Sequence, residues 1–162
     1  MIKVNPAYLL LLLISAETWS MERDREQPIS VEADSLEIRE SDNISIYEGK
    51  VRLSQGSLQA SAQRMVVHVD ANRELESIQM TGKPASFRQL DDQQREMIGR
   101  ALRIDYYQAG AVLVLTGDAF YQHNGDIIES SVIEIKTDTS DVQARSDEAD
   151  QRVKMLIQPK QE

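Results

Sequence analysis

The sequence predicts an all-β protein, and three observations carry that reading. Apolar and polar residues alternate with a period of two over most of the chain, as where Val51 and Leu53 stand between Lys50, Arg52 and Ser54. Turn-forming clusters interrupt these runs roughly every 8–12 residues, the spacing of short strands. The pattern also repeats itself. Tyr47-Glu-Gly49-Lys-Val51-Arg-Leu53-Ser-Gln-Gly56-Ser-Leu58 has a counterpart in Leu115-Thr-Gly117-Asp-Ala119-Phe-Tyr121-Gln-His-Asn-Gly125-Asp-Ile127. Each is a glycine, an alternating strand, a turn and a return strand. The lead glycines, Gly49 and Gly117, stand 68 positions apart. Ala33-x-x-Leu36-x-Ile38 and Ala101-x-x-Ile104-x-Tyr106 keep that interval, as do Ala62-x-x-Met65-x-Val67 and Ser130-x-x-Ile133-x-Ile135. Three markers on one spacing denote an internal duplication of about 68 residues. Such a repeat of strand–turn–strand units covers its apolar faces with its neighbours.

Taken in order, residues 21–26 are charged and unpatterned and read as a flexible stretch, and residues 27–159 form the patterned domain. Ile29 and Val31 begin the alternation, followed by Leu36 and Ile38 and a turn at residues 40–43. Ile44 leads through Gly49 into Val51 and Leu53, Gln55-Gly56 turns the chain, and Leu58, Ala60, Met65, Val67 and Val69 return. A turn at residues 70–73 precedes Leu75, Ile78 and Met80, and Gly82-Lys83-Pro84 leads to Ala85 and Phe87. Residues 91–95 are a polar hairpin loop before Ile98, Ile104 and Tyr106. Val112 to Leu115 lead into Gly117, and Asn124-Gly125 is a strong type I′ hairpin signal, because that turn needs positive φ at both central residues. Ile127, Ile133 and Ile135 follow, then a turn at residues 137–141. Only residues 146–151 could pass for a helical turn. Val153, Met155 and Ile157 make a last alternating segment before Pro159, and residues 160–162 are a polar tail.

Composition narrows the function classes. The chain has 162 residues, enough for one domain, and a formal net charge of −9 that disfavours nucleic acid as a partner. It has no cysteine, which removes thiol nucleophiles, disulfides and thiolate metal sites. Hydrophobic residues make up 41% but aromatics only 5%, so aliphatic side chains line both walls. They leave either a thin core or a groove that something else fills. At the N-terminus, Lys3 precedes an apolar run from Ala7 to Ala16 that includes five consecutive leucines. That run is shorter than the roughly 20 residues a bilayer span needs. Residues 1–20 therefore read as an export signal with an unsettled cleavage site, an uncleaved anchor being the rival reading.

No catalytic constellation emerges. His68 and His123 fall in different repeats with no second histidine at ligand spacing, so no metal site is expected. Ser57, after Gly56, lacks the second glycine of a nucleophile elbow, and Asp91-Asp92 sit where aspartates commonly bond their own turn. No phosphate-cradling glycine loop precedes a helix, and no cofactor is implied. Gly49, Gly82 and Gly117 read as bends or bulges in the sheet. Alternation assigns Leu36, Ile38, Val51, Leu53, Met65, Val67, Phe87, Ile104 and Tyr106 to one inner face, with Arg64 and His68 on the other.

Several of these segments also resemble a known family. Gln27-Pro28-Ile29-x-Val31-Glu32-Ala33-Asp34-x-Leu36, Tyr47-Glu-Gly49-Lys-Val51, Gly82-Lys83-Pro84-Ala85-Ser86-Phe87 and Leu113-Val-Leu115-Thr116-Gly117-Asp-Ala119 are similar to the OstA-like domain of periplasmic lipopolysaccharide-export proteins. The resemblance covers residues 27–159. It implies an open, twisted β-jelly roll whose apolar interior holds the acyl chains of lipid A, with the nine inner-face residues as lipid contacts. Phe87 and Tyr106 match lipid-contacting positions. It further implies a periplasmic, non-enzymatic bridge for outer-membrane assembly. Its partners would be a membrane-anchored protein of similar fold, the N-terminal jelly-roll domain of an outer-membrane barrel translocon, and further copies joined head to tail. Ile29 and Val31 at one edge and Val153, Met155 and Ile157 at the other are the expected docking residues. The membrane-anchored paralogue and a scaffold without ligand are the alternative readings.

Overall fold

A computed structural model describes Asp24, residues 26–147 and residues 152–159. The expected signal segment, the polar tail and residues 148–151 of the possible helical turn lie outside the described residues. Among the described residues ten strands form one antiparallel sheet: β1 (Ser30–Glu32), β2 (Ser35–Arg39), β3 (Ile44–Gln55), β4 (Leu58–Val69), β5 (Leu75–Leu90), β6 (Glu96–Tyr107), β7 (Val112–His123), β8 (Asp126–Lys136), β9 (Asp141–Arg145) and β10 (Lys154–Leu156). Among the described residues a single 3-10 turn, Glu40–Asp42, stands where the sequence reads a turn. Strands β3 to β8 pair with their sequence neighbours, as short polar hairpins dictate. The outer edge of β3 is shared by β1 and β2, and that of β8 by β9 and β10.

The duplication is present in three dimensions. β3 begins 68 positions before β7, and β4 begins 68 positions before β8. The register of β3 against β4 slips between Glu48 and Val51, and that of β7 against β8 slips between Thr116 and Ala119, again 68 apart. Both slips are bulges built on left-handed residue pairs, Gly49–Lys50 (φ 81° and 48°) and Gly117–Asp118 (φ 80° and 48°). Glycine is favoured there because a side chain strains that conformation.

Equivalent slips occur between Ser61 and Arg64, Thr81 and Ala85, and Arg100 and Arg103, so one line of irregularities crosses every long strand. A bulge bends its strand and increases its twist. A row of them creases the whole sheet. The crease is lined by buried small residues, Ala62, Ala85, Ala101, Ala119 and Ser130, which let the backbones close up. On either side, alternate side chains of the two half-sheets join one apolar cluster that includes Leu53, Met65, Met80, Phe87, Ile104, Leu115 and Ile133.

The terminal strands are shorter than the alternation suggested. β10 spans only Lys154–Leu156, with Val153 and Ile157 flanking it, and Ile29 lies just before β1. Ile29, Val153, Met155 and Ile157 are exposed, whereas Val31 is half-buried opposite Leu53 and packs on the core.

Candidate apolar groove

The inner face is assembled by register. Leu36, Tyr47, Met65, Met80, Ile104, Leu115 and Ile133 stand opposite one another in one row across the sheet. Ile38, Ser45, Val67, Ile78, Tyr106, Leu113 and Ile135 form the next row. Beyond the crease, Val31, Leu53, Ala60, Phe87, Gly99, Tyr121, Ile128 and Met155 form a third. Eight of the nine residues read as inward stand in these rows, and Val51, two positions before Leu53 on β3 and buried in the same cluster, joins them on that face. Arg64 falls in the outer row with Glu48, to which it is paired at 3.0 Å.

Between the half-sheets lies a groove of about 440 Å³. Its middle is apolar: Leu53, Ala60, Ile78, Met80, Phe87, Met97, Tyr106, Leu113, Tyr121 and Ile135 line it. Its polar residues stand at the two ends, beside Ile29 and Leu58 at one and Leu75 at the other. Gln55, Gln89 and Asp24 stand beside the β3–β4 and β5–β6 turns, and Glu74, Gln108, Thr137 and Ser140 stand at the opposite turns. The groove therefore follows the strands, which at ~3.3 Å per residue are about 40 Å long.

Of the nine, Leu53, Phe87 and Tyr106 line the groove. Val51, Met65 and Ile104 are buried to 2%, 0% and 0% exposure and fill the core beneath it. Val67 is partly buried against that core. Leu36 and Ile38 point the same way but are 52% and 62% exposed, because β2 is an edge strand with no neighbour beyond it. Alternation therefore found the face without separating its floor from its wall. It passed over Leu113, which pairs with Tyr106, Tyr121, which pairs with Gly99, and Met97, which stands two positions before Gly99 on β6. It also passed over Gly99. A Cβ there would stand 2.0 Å from the Phe87 ring, so the missing side chain gives the ring its place.

A charged cluster lies behind Tyr121 of the groove wall, whose ring centroid is 6.3 Å from that of His123. Asp91 accepts Nε2 of His123 at 2.8 Å, Nε of Arg95 at 2.7 Å and the backbone N–H groups of Gln93 and Arg95. Burial alone would raise its pKa, but these hydrogen bonds outweigh that and hold the carboxyl at about 2. Neighbouring Tyr121 is pushed up to about 12 by burial and by the charge of Asp91. The cluster ties the β5–β6 hairpin to the end of β7. Among the described residues no group of three His, Cys, Asp or Glu could hold a metal ion.

Residues 30–141 match the family described as "LptA/(LptD N-terminal domain) LPS transport protein". The chain belongs to that family. It is 30% identical over 152 residues to the lipopolysaccharide export system protein LptA of Escherichia coli strain K12, covering 93% of this chain and 82% of that one. It is also 30% identical over 159 residues to the lipopolysaccharide export system protein LptH of Pseudomonas aeruginosa, covering 94% of this chain and 91% of that protein. The crystal structure of LptH, named as the LptA-homologous periplasmic component of the conserved lipopolysaccharide transport device, superposes with a TM-score of 0.76. The match covers 85% of this chain and 99% of that one. The expected open β-jelly roll is therefore the fold of a solved relative.

Proposed function

We propose that the protein is a periplasmic lipopolysaccharide carrier, without enzymatic activity, that holds lipid A acyl chains in the groove and bridges the export components of the two membranes. One observation carries the reading: an apolar trough running the length of the strands, polar only at its ends. Flexible acyl chains need dispersive area rather than directed hydrogen bonds. At roughly 0.8 kcal/mol per buried CH₂ they supply enough affinity without charge attraction. A protein of net charge −9 does not attract a phosphorylated glycolipid by its overall field.

The edges complete the proposal. β1 and β2 end the sheet on one side and β9 and β10 on the other, with exposed Ile29, Leu36 and Ile38 facing one way out and Val153, Met155 and Ile157 the other. Edge strands carry unpaired main-chain groups, and two different edges pair head to tail. Such pairing would join copies of the chain, a membrane-anchored partner of similar fold and the jelly-roll domain of a barrel translocon, and would align one groove with the next.

Crosslinking tests the groove. A photo-crosslinker at Phe87 or Tyr106 should capture lipopolysaccharide, and one at Arg64 or His68 on the outer face should not. Equal capture at both pairs sinks the groove reading. Phe87→Asp should abolish capture while the circular dichroism remains that of strand. For the edges, deletion of residues 153–162 should end self-association but spare binding to the anchored partner. Unchanged self-association excludes the C-terminal edge.

A further inference from the structure

One rim of the groove holds a set of hydrogen-bond donors aimed at a single anionic group. Asp24, only 7% exposed, sits there against the β3–β4 turn. Its Oδ1 accepts the backbone N–H of Ser57 at 2.9 Å. Its Oδ2 accepts the Ser57 hydroxyl and, at 3.3 Å, Nε2 of Gln89. The hydroxyl is oriented, because the backbone N–H of Leu90 donates to the same oxygen at 3.1 Å and leaves its proton free to point at the carboxylate. Gly56 has no side chain to obstruct the approach: a Cβ there would lie 2.0 Å from Oδ1. Three donors, two from Ser57 in the β3–β4 turn and one from Gln89 on β5, thus converge on one anion at the mouth of an apolar trough.

A buried carboxylate at an apolar rim is costly unless hydrogen-bonded, and these donors offset that cost. Water can hydrogen-bond a displaced carboxylate in place of these donors, so exchange costs far less than the gross strength of the contacts. The chain just after it is separately tethered, since Gln55 Nε2 donates to the Gln27 carbonyl at 3.1 Å. The Gln27 N–H also donates to the Asp24 carbonyl at 3.0 Å, so the carboxylate can swing away by side-chain rotation without freeing β1.

We infer that Ser57 and Gln89 form a receiving site for the phosphate of an acylated amphiphile, for which Asp24 is the built-in competitor. This rests on the acyl-groove reading, because the tail must lie in the trough for the head to reach the rim. A phosphate carries more charge and more acceptor oxygens than a carboxylate, so it competes well for the same donors. The chemistry fits a phosphorylated sugar head and a phospholipid head alike.

Titration calorimetry on the folded chain separates the outcomes, with dodecyl phosphate and neutral dodecyl maltoside as probes. Asp24→Ala should tighten dodecyl phosphate by about tenfold, the effect of freeing charge-assisted hydrogen bonds, and leave dodecyl maltoside unchanged. Ser57→Ala should remove the preference for the phosphate, and Gln89→Met provides the same comparison should the Ser57 variant fail to fold. In the wild-type chain, the Ser57 amide resonance should move with dodecyl phosphate and stay in place with the maltoside. Equal tightening of both probes by Asp24→Ala makes Asp24 a mere steric stopper and overturns the receiving site while keeping the groove. Failure of dodecyl maltoside to bind any variant overturns the groove reading itself, and this inference with it. A parallel arm compares phosphatidylglycerol with a phosphorylated diacyl glucosamine. The one tightened by Asp24→Ala identifies the head group, and tightening of neither overturns the site.

Discussion

β2 and the second half of β6 carry the same motif 68 residues apart, yet they live in different surroundings. In Ala33-x-x-Leu36-x-Ile38 the apolar residues are exposed, Leu36 by 52% and Ile38 by 62%. In Ala101-x-x-Ile104-x-Tyr106, Ala101 is 1% exposed, Ile104 is 0%, and Tyr106 is partly buried in the groove wall. The register places Leu36 and Ile104 in one row of the same face, so direction is not the difference. β6 has a strand on each side and the opposite half-sheet above it, whereas β2 has β3 alone. A repeated pattern specifies which way a side chain points, and its position in the sheet decides what covers it.

The bulges make the same point in reverse. The step at Gly49 brings it against Asp34, and that at Gly117 brings it against Leu102, positions again 68 apart. Here the backbone is conserved between repeats and the contact chemistry has changed. The strand ends diverge as well. Gln55 holds the carbonyl of Gln27, whereas its counterpart His123 holds the Asp91 carboxylate.

The largest break in this comparison should come from truncating the matched apolar pair. Ile104→Ala empties a fully buried site and should cost about 2–5 kcal/mol, while Leu36→Ala should cost well under about 1 kcal/mol, both read from urea midpoints. A similar loss in both would mean that β2 is covered in solution. Enlarging the alanines should give the next effect. Ala101→Leu overfills the crease at about 1–3 kcal/mol, and Ala33→Leu should be nearly silent in the same assay.

Substituting the two bulge glycines sharpens the repeat argument. Gly49→Ala and Gly117→Ala both strain a left-handed residue, by about 1–2 kcal/mol. The first should be the more harmful, because the added Cβ meets Asp34 at 2.4–2.8 Å, against 3.0–3.2 Å to Leu102 in the second. Thermal midpoints should rank them in that order, and the reverse order would refute the contact assignment.

The smallest effect belongs to the tie at His123. The Asp91 carboxyl is depressed from 3.8 to about 2 in the folded chain. Its contribution is therefore fully present above about pH 4 and is lost as pH falls through about 2. Discounted for solvent at the hairpin, it amounts to about 1 kcal/mol. Stability should decline over that window, and Asp91→Asn should flatten the decline, as measured by urea unfolding at pH 4 and pH 2. An unchanged pH profile in the variant would assign the acid sensitivity to other carboxylates.

Strand identity, turn positions, the duplication and the inward direction of residues such as Phe87 and Tyr106 were determined by the sequence, because a period of two is a local property of extended backbone. The family was legible too, from short motifs around Gly49, Gly82 and Gly117. Three things were decided only by tertiary structure. Met65 and Ile104 lie beneath the groove rather than in its wall, because the crease sets how close the half-sheets approach. Val31 turns into the core while its neighbour Ile29 stays exposed, because β1 lies along the end of β3. Asp24, in a stretch with no pattern at all, reaches the groove rim, because donors from Ser57 and Gln89 meet there only after the sheet has folded. Alternation is written residue by residue along one chain; burial depends on which strands, distant in sequence, come to lie across it.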